Sequence, residues 1–141
     1  MITLKEATLY LPYKVKMKIS YQGKEKIDTL DIRKAAYLLE NSDKWKFQLI
    51  LNPLSELTKE IEVEGEKFIP LEKLFGEKYS EWDGESETIP ACVAHTYNCS
   101  KGTVLPKFLP YWVVDQLLEW HFWIGDQSRF GQDIIDINTL K

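Results

Sequence analysis

Two thiols and an imidazole fall within eight residues in Cys92-Val-Ala-His95-Thr-Tyr-Asn-Cys99, and His121 could add a fourth donor. Zinc accepts cysteine and histidine in a tetrahedron. The spacing Cys-x2-His-x3-Cys matches none of the common structural-zinc patterns, which use close cysteine pairs. The expectation is therefore two incidental thiols and a loop histidine, with no metal bound. A thiol nucleophile, Cys92 or Cys99 activated by His95 or His121, would need a neighbouring base, and no flanking signature supports one. His121 falls near the middle of an apolar stripe, where a core histidine with both nitrogens satisfied is expected. No catalytic or cofactor motif occurs elsewhere in the chain, so no catalytic residue and no cofactor are assigned.

Two ladders of like charge come next. Glu60, Glu62, Glu64 and Glu66 recur with period two, opposite Ile61 and Val63. That is the pattern of a solvated sheet face rather than of a carboxylate cluster. Lys14, Lys16 and Lys18 mirror it and could follow a phosphate backbone, but exposed aromatics are not interleaved with them. The net charge is −4, from 18 basic and 22 acidic residues. It is unevenly spread: residues 5–26 hold six lysines and two glutamates, and residues 60–87 hold ten acids and three lysines. An isoelectric point near 5.3 counts against a dedicated nucleic-acid binder, which carries a basic excess.

The aromatic segment Leu109-Pro-Tyr-Trp-Val-Val-Asp-Gln-Leu-Leu-Glu-Trp-His-Phe-Trp-Ile-Gly125 holds three of the five tryptophans. At helical spacing, Val113, Val114, Leu117, Leu118, Trp120, His121 and Ile124 share one stripe. Asp115, Gln116 and Glu119 point the other way, and Trp112 and Trp123 point with them. Tryptophan on a polar face suits a contact surface. Trp112, Trp123, Gln116 and Glu119, with Trp82 of the adjoining loop, are the candidate partner-binding residues. The lysines at 14, 16 and 18 are the candidates for the alternative, nucleic-acid reading.

These residues need elements to hold them. Thr3-Leu-Lys-Glu6 is a capping box that predicts a short helix ending before Pro12. Tyr13–Tyr21 alternates without a fault and predicts a strand. Gln22-Gly23 predicts a turn into a second strand, Lys24–Leu30. Asp31 predicts an N-cap for a helix over Ile32–Glu40 that buries Ile32, Ala35, Ala36 and Leu39. Trp45–Leu51 reads as a strand, and Asn52-Pro53 as a helix start with Asn52 at the cap. A hairpin around Gly65 follows, then a short turn from Pro70 that Gly76 stops. Residues 77–108 carry no clear element. The aromatic segment predicts a helix from Pro110 to Ile124, and Asp133–Ile137 predicts a closing strand. The expected core is Tyr13, Val15, Met17, Ile19, Trp45, Phe47, Leu49, Leu51, Val113, Leu117 and Trp120.

The expected fold is α+β: a small antiparallel curved sheet or partly open barrel with short helices, covered by one longer C-terminal helix. At 141 residues the chain suits a single domain, 1–141, that buries about two-thirds of its surface. Two cysteines, a Met1 start without an apolar leader and no apolar run of membrane length predict a soluble cytoplasmic protein.

Three segments together resemble a known group: Asn52-Pro-Leu-Ser-Glu-Leu-Thr-Lys-Glu-Ile-Glu-Val-Glu-Gly-Glu-Lys-Phe-Ile-Pro70, then Leu109-Pro-Tyr-Trp112 leading to Leu118-Glu-Trp-His-Phe122, then Ile135-Asp-Ile-Asn-Thr-Leu140. The group is a family of small uncharacterised proteins from phages and prophages of Bacteroides-type bacteria. In those relatives the loop before the final segment is a Lys-Gly-Leu-Ala run, where this chain has Gly125–Gln132. The resemblance carries no activity and no catalytic residues. It implies a mobile-element accessory protein in the cytoplasm of a bacterial host. The function expected on these grounds is a non-enzymatic interaction module that binds another protein or itself. A nucleic-acid-binding accessory protein is the alternative, and a small metal-dependent or thiol enzyme the third.

Overall fold

The computed structural model describes residues 2–76 and 111–140. The chain groups into two compact units: Met1–Asn52, Leu118–Trp123 and Ser128–Lys141 form one, and Pro53–Leu117 with Ile124–Gln127 form the other.

The first unit opens with helix α1, Leu4–Thr8, held by the predicted capping box: the Thr3 N–H donates to Glu6 Oε1 at 3.0 Å and the Glu6 N–H to Thr3 Oγ1 at 3.1 Å. Strands β1 (Lys16–Tyr21) and β2 (Lys24–Thr29) form a hairpin across Gln22 and Gly23. Both turn residues have positive φ, 49° and 78°. That is the turn whose twist matches the strands, and it is why glycine stands at its second position. Helix α2, Ile32–Glu40, is capped by Asp31 Oδ1, which accepts from the Arg33 and Lys34 amides at 2.8 and 3.2 Å.

Strand β3, Lys46–Leu51, pairs antiparallel with β1 and reads as almost continuously buried. β6, Ile134–Asp136, joins its other side in parallel, with Leu49 opposite Ile134. The sheet order is β2-β1-β3-β6. The fold is α+β as expected, with an open mixed sheet in place of a purely antiparallel one. A parallel partner requires a long crossover, and the chain between Leu51 and Ile134 supplies it.

Several expected boundaries move. Tyr13 belongs to a 3-10 turn, Leu11–Tyr13, and Lys14 is left-handed at φ 54°; the alternation is structural only from Lys16. On α2 the buried positions are Ala35 and Leu38, with Ile32 exposed and Leu39 half-buried. The inward face is thus turned from the expected one. Of the expected core, Tyr13, Ile19 and Trp45 are half-buried and the other eight are buried.

In the second unit a 3-10 turn, Leu54–Thr58, follows Pro53, and strands β4 (Ile61–Val63) and β5 (Glu66–Phe68) form a hairpin. Its turn residues Glu64 and Gly65 again have positive φ, 51° and 84°. Helix α3, Pro70–Phe75, starts on its proline and stops at Gly76, as predicted. Helix α4, Tyr111–Glu119, contributes Val113 and Leu117 to the interior. Among the described residues no helix is long and apolar enough to cross a membrane.

A candidate binding groove between a helix and a sheet edge

Helix α4 ends at Glu119, well short of Ile124. The His121 N–H donates to the Leu118 carbonyl at 3.0 Å, and His121 itself is left-handed at φ 64°. A left-handed residue just past the last turn ends a helix. Phe122 is then extended and bridges Asn52: the Asn52 N–H donates to His121 O at 2.7 Å, and the Trp123 N–H to Asn52 O at 3.0 Å. The Asn52 side chain donates to the Trp120 carbonyl at 3.2 Å. Asn52 is therefore a buried strand extension, not the helix cap the sequence suggested. Tertiary pairing has overridden local propensity here.

This changes the expected contact surface. Trp123 is 2% exposed, stacked on Tyr10 at 6.5 Å with the Arg129 guanidinium 5.1 Å above its ring, so it presents nothing to a partner. Trp112 is 53% exposed and meets Phe75 edge to face at 6.0 Å. Gln116 is half-buried and Glu119 exposed on α4. Trp82, Cys92, His95 and Cys99 lie outside the described residues. His121 is half-buried, with Nε2 2.7 Å from the Tyr13 carbonyl. A carbonyl can only accept, so this nitrogen carries the proton. Among the described residues no cluster of histidine, cysteine and carboxylates could hold a metal ion.

The lysine ladder is partly engaged. Lys16 Nζ donates to Thr29 Oγ1 at 2.9 Å, Lys18 pairs with Glu25 at 3.0 Å, and Lys14 lies outside the strand. Glu60, Glu62, Glu64 and Glu66 are exposed, and Glu66 pairs with Lys73.

A different site emerges in the first unit. The β1 face that carries Met17 continues to Ile19 and Tyr21, and α2 covers only part of it. The remainder is a groove of about 560 Å³. Ile19, Tyr21, Leu38 and Trp45 line it from the sheet and helix, with Tyr37 on α2. Trp45 stacks on Tyr21 at 4.2 Å and 18°. It stands one residue beyond the Ser20–Lys46 pair, which sets it opposite Tyr21 across β1 and β3. Lys24, Lys26, Arg33 and Lys34 bring four cations to the lining against two carboxylates, Glu25 and Asp28.

Those carboxylates are already committed. Asp28 accepts from Lys34 at 2.7 Å and lies 3.8 Å from Lys26. The Lys34 hydrogen bond, aided by the Thr29 amide, holds the Asp28 carboxyl below its ordinary range and raises Lys34 in return. Glu25 is taken by Lys18. Among the described residues no carboxylate pairs with Lys24 or with the Arg33 guanidinium. The result is an apolar, aromatic bed with two uncommitted cations. Among the described residues its lining holds no histidine, cysteine or serine. An apolar concavity with a few placed polar groups is suited to holding a ligand.

Sequence reasoning missed this site because its parts lie on three elements. Residues 19–45 do carry a signal: one aromatic ends the first strand of a lysine-rich hairpin, a second sits on the polar side of an amphipathic helix and a third stands just before β3. Comparison of the chain with known protein families, with curated proteins and with solved structures finds no match.

Proposed function

We propose that this chain is a non-enzymatic binding module, an accessory protein of phage or prophage type, that engages another protein through the groove between α2 and β1–β2. The observation that carries the reading is the stacked Tyr21–Trp45 pair beside the uncommitted Lys24 and Arg33. Aromatic and arginine side chains dominate the binding energy of protein interfaces. The double variant Lys24→Glu, Arg33→Glu alters two exposed side chains and is expected to leave the fold intact. A partner isolated from the host bacterium with the native chain should bind the variant at least about tenfold more weakly, a loss of about 1.4 kcal/mol. Equal affinity for both proteins would remove the groove from the interface.

A second reading has one observation behind it: the same three aromatic rings and four cations could stack bases and neutralise phosphates of a single strand. Its signature is an affinity that falls steeply and log-linearly with salt. The acidic net charge and the pairing of Lys16 and Lys18 favour the first reading.

A further inference from the structure

Among the described residues β2 is the outer strand of its sheet. The two-residue turn makes Tyr21 and Lys24 a hydrogen-bonded pair, and in an antiparallel ladder such pairs alternate. The alternation runs through Ile19–Lys26 and Met17–Asp28 to Leu30, whose N–H donates to the Val15 carbonyl at 2.8 Å. The main-chain groups of Glu25, Ile27 and Thr29 therefore point away from β1. The Thr29 amide is satisfied by Asp28 Oδ1 at 2.8 Å. Glu25 and Ile27 each direct an N–H and a carbonyl outward, with no partner for them among the described residues.

We infer that this edge receives an extended acidic segment of a partner protein as an added strand, with its carboxylates in the groove. The inference rests on the groove being a protein interface and names what that interface takes. Strand side chains alternate between faces. On one face the added strand meets Lys24 and Lys26 of β2 and, beyond them, Arg33 of α2. On the other it meets Ile27, which is 53% exposed. The recognised segment is therefore one in which acidic residues alternate with β-branched apolar ones, and main-chain bonds supply affinity independent of sequence.

The same lysines disfavour a second copy of this chain, as charged residues do on many exposed edges. A two-fold pairing centred on Lys26 sets lysine against lysine. One centred on Ile27 sets Lys26 against Asp28, but that carboxylate is already held by Lys34 at 2.7 Å.

The test titrates the full chain into labelled peptides and follows fluorescence anisotropy. The parent probe is an acetylated peptide of alternating glutamate and valine. Two twins are N-methylated, one at every valine and one at every glutamate, so each loses the donors along one edge. A third twin carries lysine for glutamate. The expected result is that the parent binds, one N-methylated twin loses at least about tenfold and the other does not. The lysine twin should fail with the native chain and bind the Lys24→Glu, Arg33→Glu variant. If both N-methylated twins bind like the parent, edge pairing is overturned and the groove reading stands. If no peptide binds but the Lys24→Glu, Arg33→Glu variant still loses the isolated host partner, the acidic strand is overturned and the interface is not. Binding of oligothymidylate in place of every peptide would overturn both. Concentration-dependent dimerisation that charge reversal at Lys26 abolishes would assign the edge to a second copy and overturn the inference.

Discussion

The groove of Tyr21, Tyr37 and Trp45 and the segment Trp120–Trp123 are built from the same kinds of side chain. Around Trp120–Trp123 the rings are taken into the interior. Phe122 is fully buried, the Tyr10 hydroxyl donates to its carbonyl at 2.6 Å, and Trp123 lies between Tyr10 and Arg129. In the groove Tyr21 and Trp45 stack on one another while Tyr37 stays 56% exposed, and Lys24 and Arg33, which no carboxylate among the described residues engages, stand beside them. An aromatic cluster is spent on stability when its polar atoms are satisfied inside the chain. It is open to a partner when nearby charges are not. Ring count alone does not separate the two: in the aromatic segment it leads to Trp123, which is buried, as well as to Trp112, which is exposed.

The strongest way to break this contrast is to truncate one ring in each region. Phe122→Ala should cost about 3–5 kcal/mol, the range for a buried phenylalanine that leaves a cavity. Trp45→Ala, at a half-buried site, should cost clearly less, although it removes the larger ring. Urea denaturation of both variants decides the matter, and equal midpoints would erase the distinction. Asn52→Ala should come next, at about 1–1.5 kcal/mol, because it removes a buried side-chain hydrogen bond to the Trp120 carbonyl. An unchanged midpoint there would mean that the Asn52–Phe122 pairing does not hold the segment.

The Tyr21–Trp45 stack should be worth about 0.5–1.5 kcal/mol in a double-mutant cycle. A coupling near zero would mean that the rings are already poised for a ligand rather than for each other.

The smallest effect concerns the tie beside Trp123. Arg129 bonds to Glu6 and to Asp133. Burial alone would raise the Glu6 carboxyl. The Arg129 hydrogen bond, with the Thr3 contacts, outweighs it and holds Glu6 below its ordinary value, while Arg129 is raised by the same bond. A depressed carboxyl contributes stability above its unfolded value of about 4.3, and that contribution is lost as pH falls through the folded value. Glu6→Gln keeps the capping-box geometry, since glutamine serves at that position, and removes only the charge. The native chain should therefore lose more stability than the variant between neutral pH and pH about 3. Parallel melting curves would show that the tie carries no charge-dependent stability.

Local signals determined much of this protein. The Thr3–Glu6 box, the Gln22-Gly23 and Glu64-Gly65 turns, the Asp31 cap over Ile32–Glu40 and the Pro70–Gly76 bounds of α3 are all where the residue types put them. Each depends on hydrogen bonds or φ preferences within a few residues, so sequence neighbours suffice to specify it. The tertiary structure decided the rest. Asn52 and Phe122 lie seventy positions apart, and their pairing accompanies the end of α4 at Glu119 and the burial of Trp123. The parallel entry of β6 beside β3 is equally non-local. The groove requires Tyr21, Trp45, Lys24 and Arg33 to converge from two strands, a helix and the residue before β3. Periodicity states which face of an element is apolar. It does not state how far a neighbouring element covers that face, because coverage depends on where the other element ends.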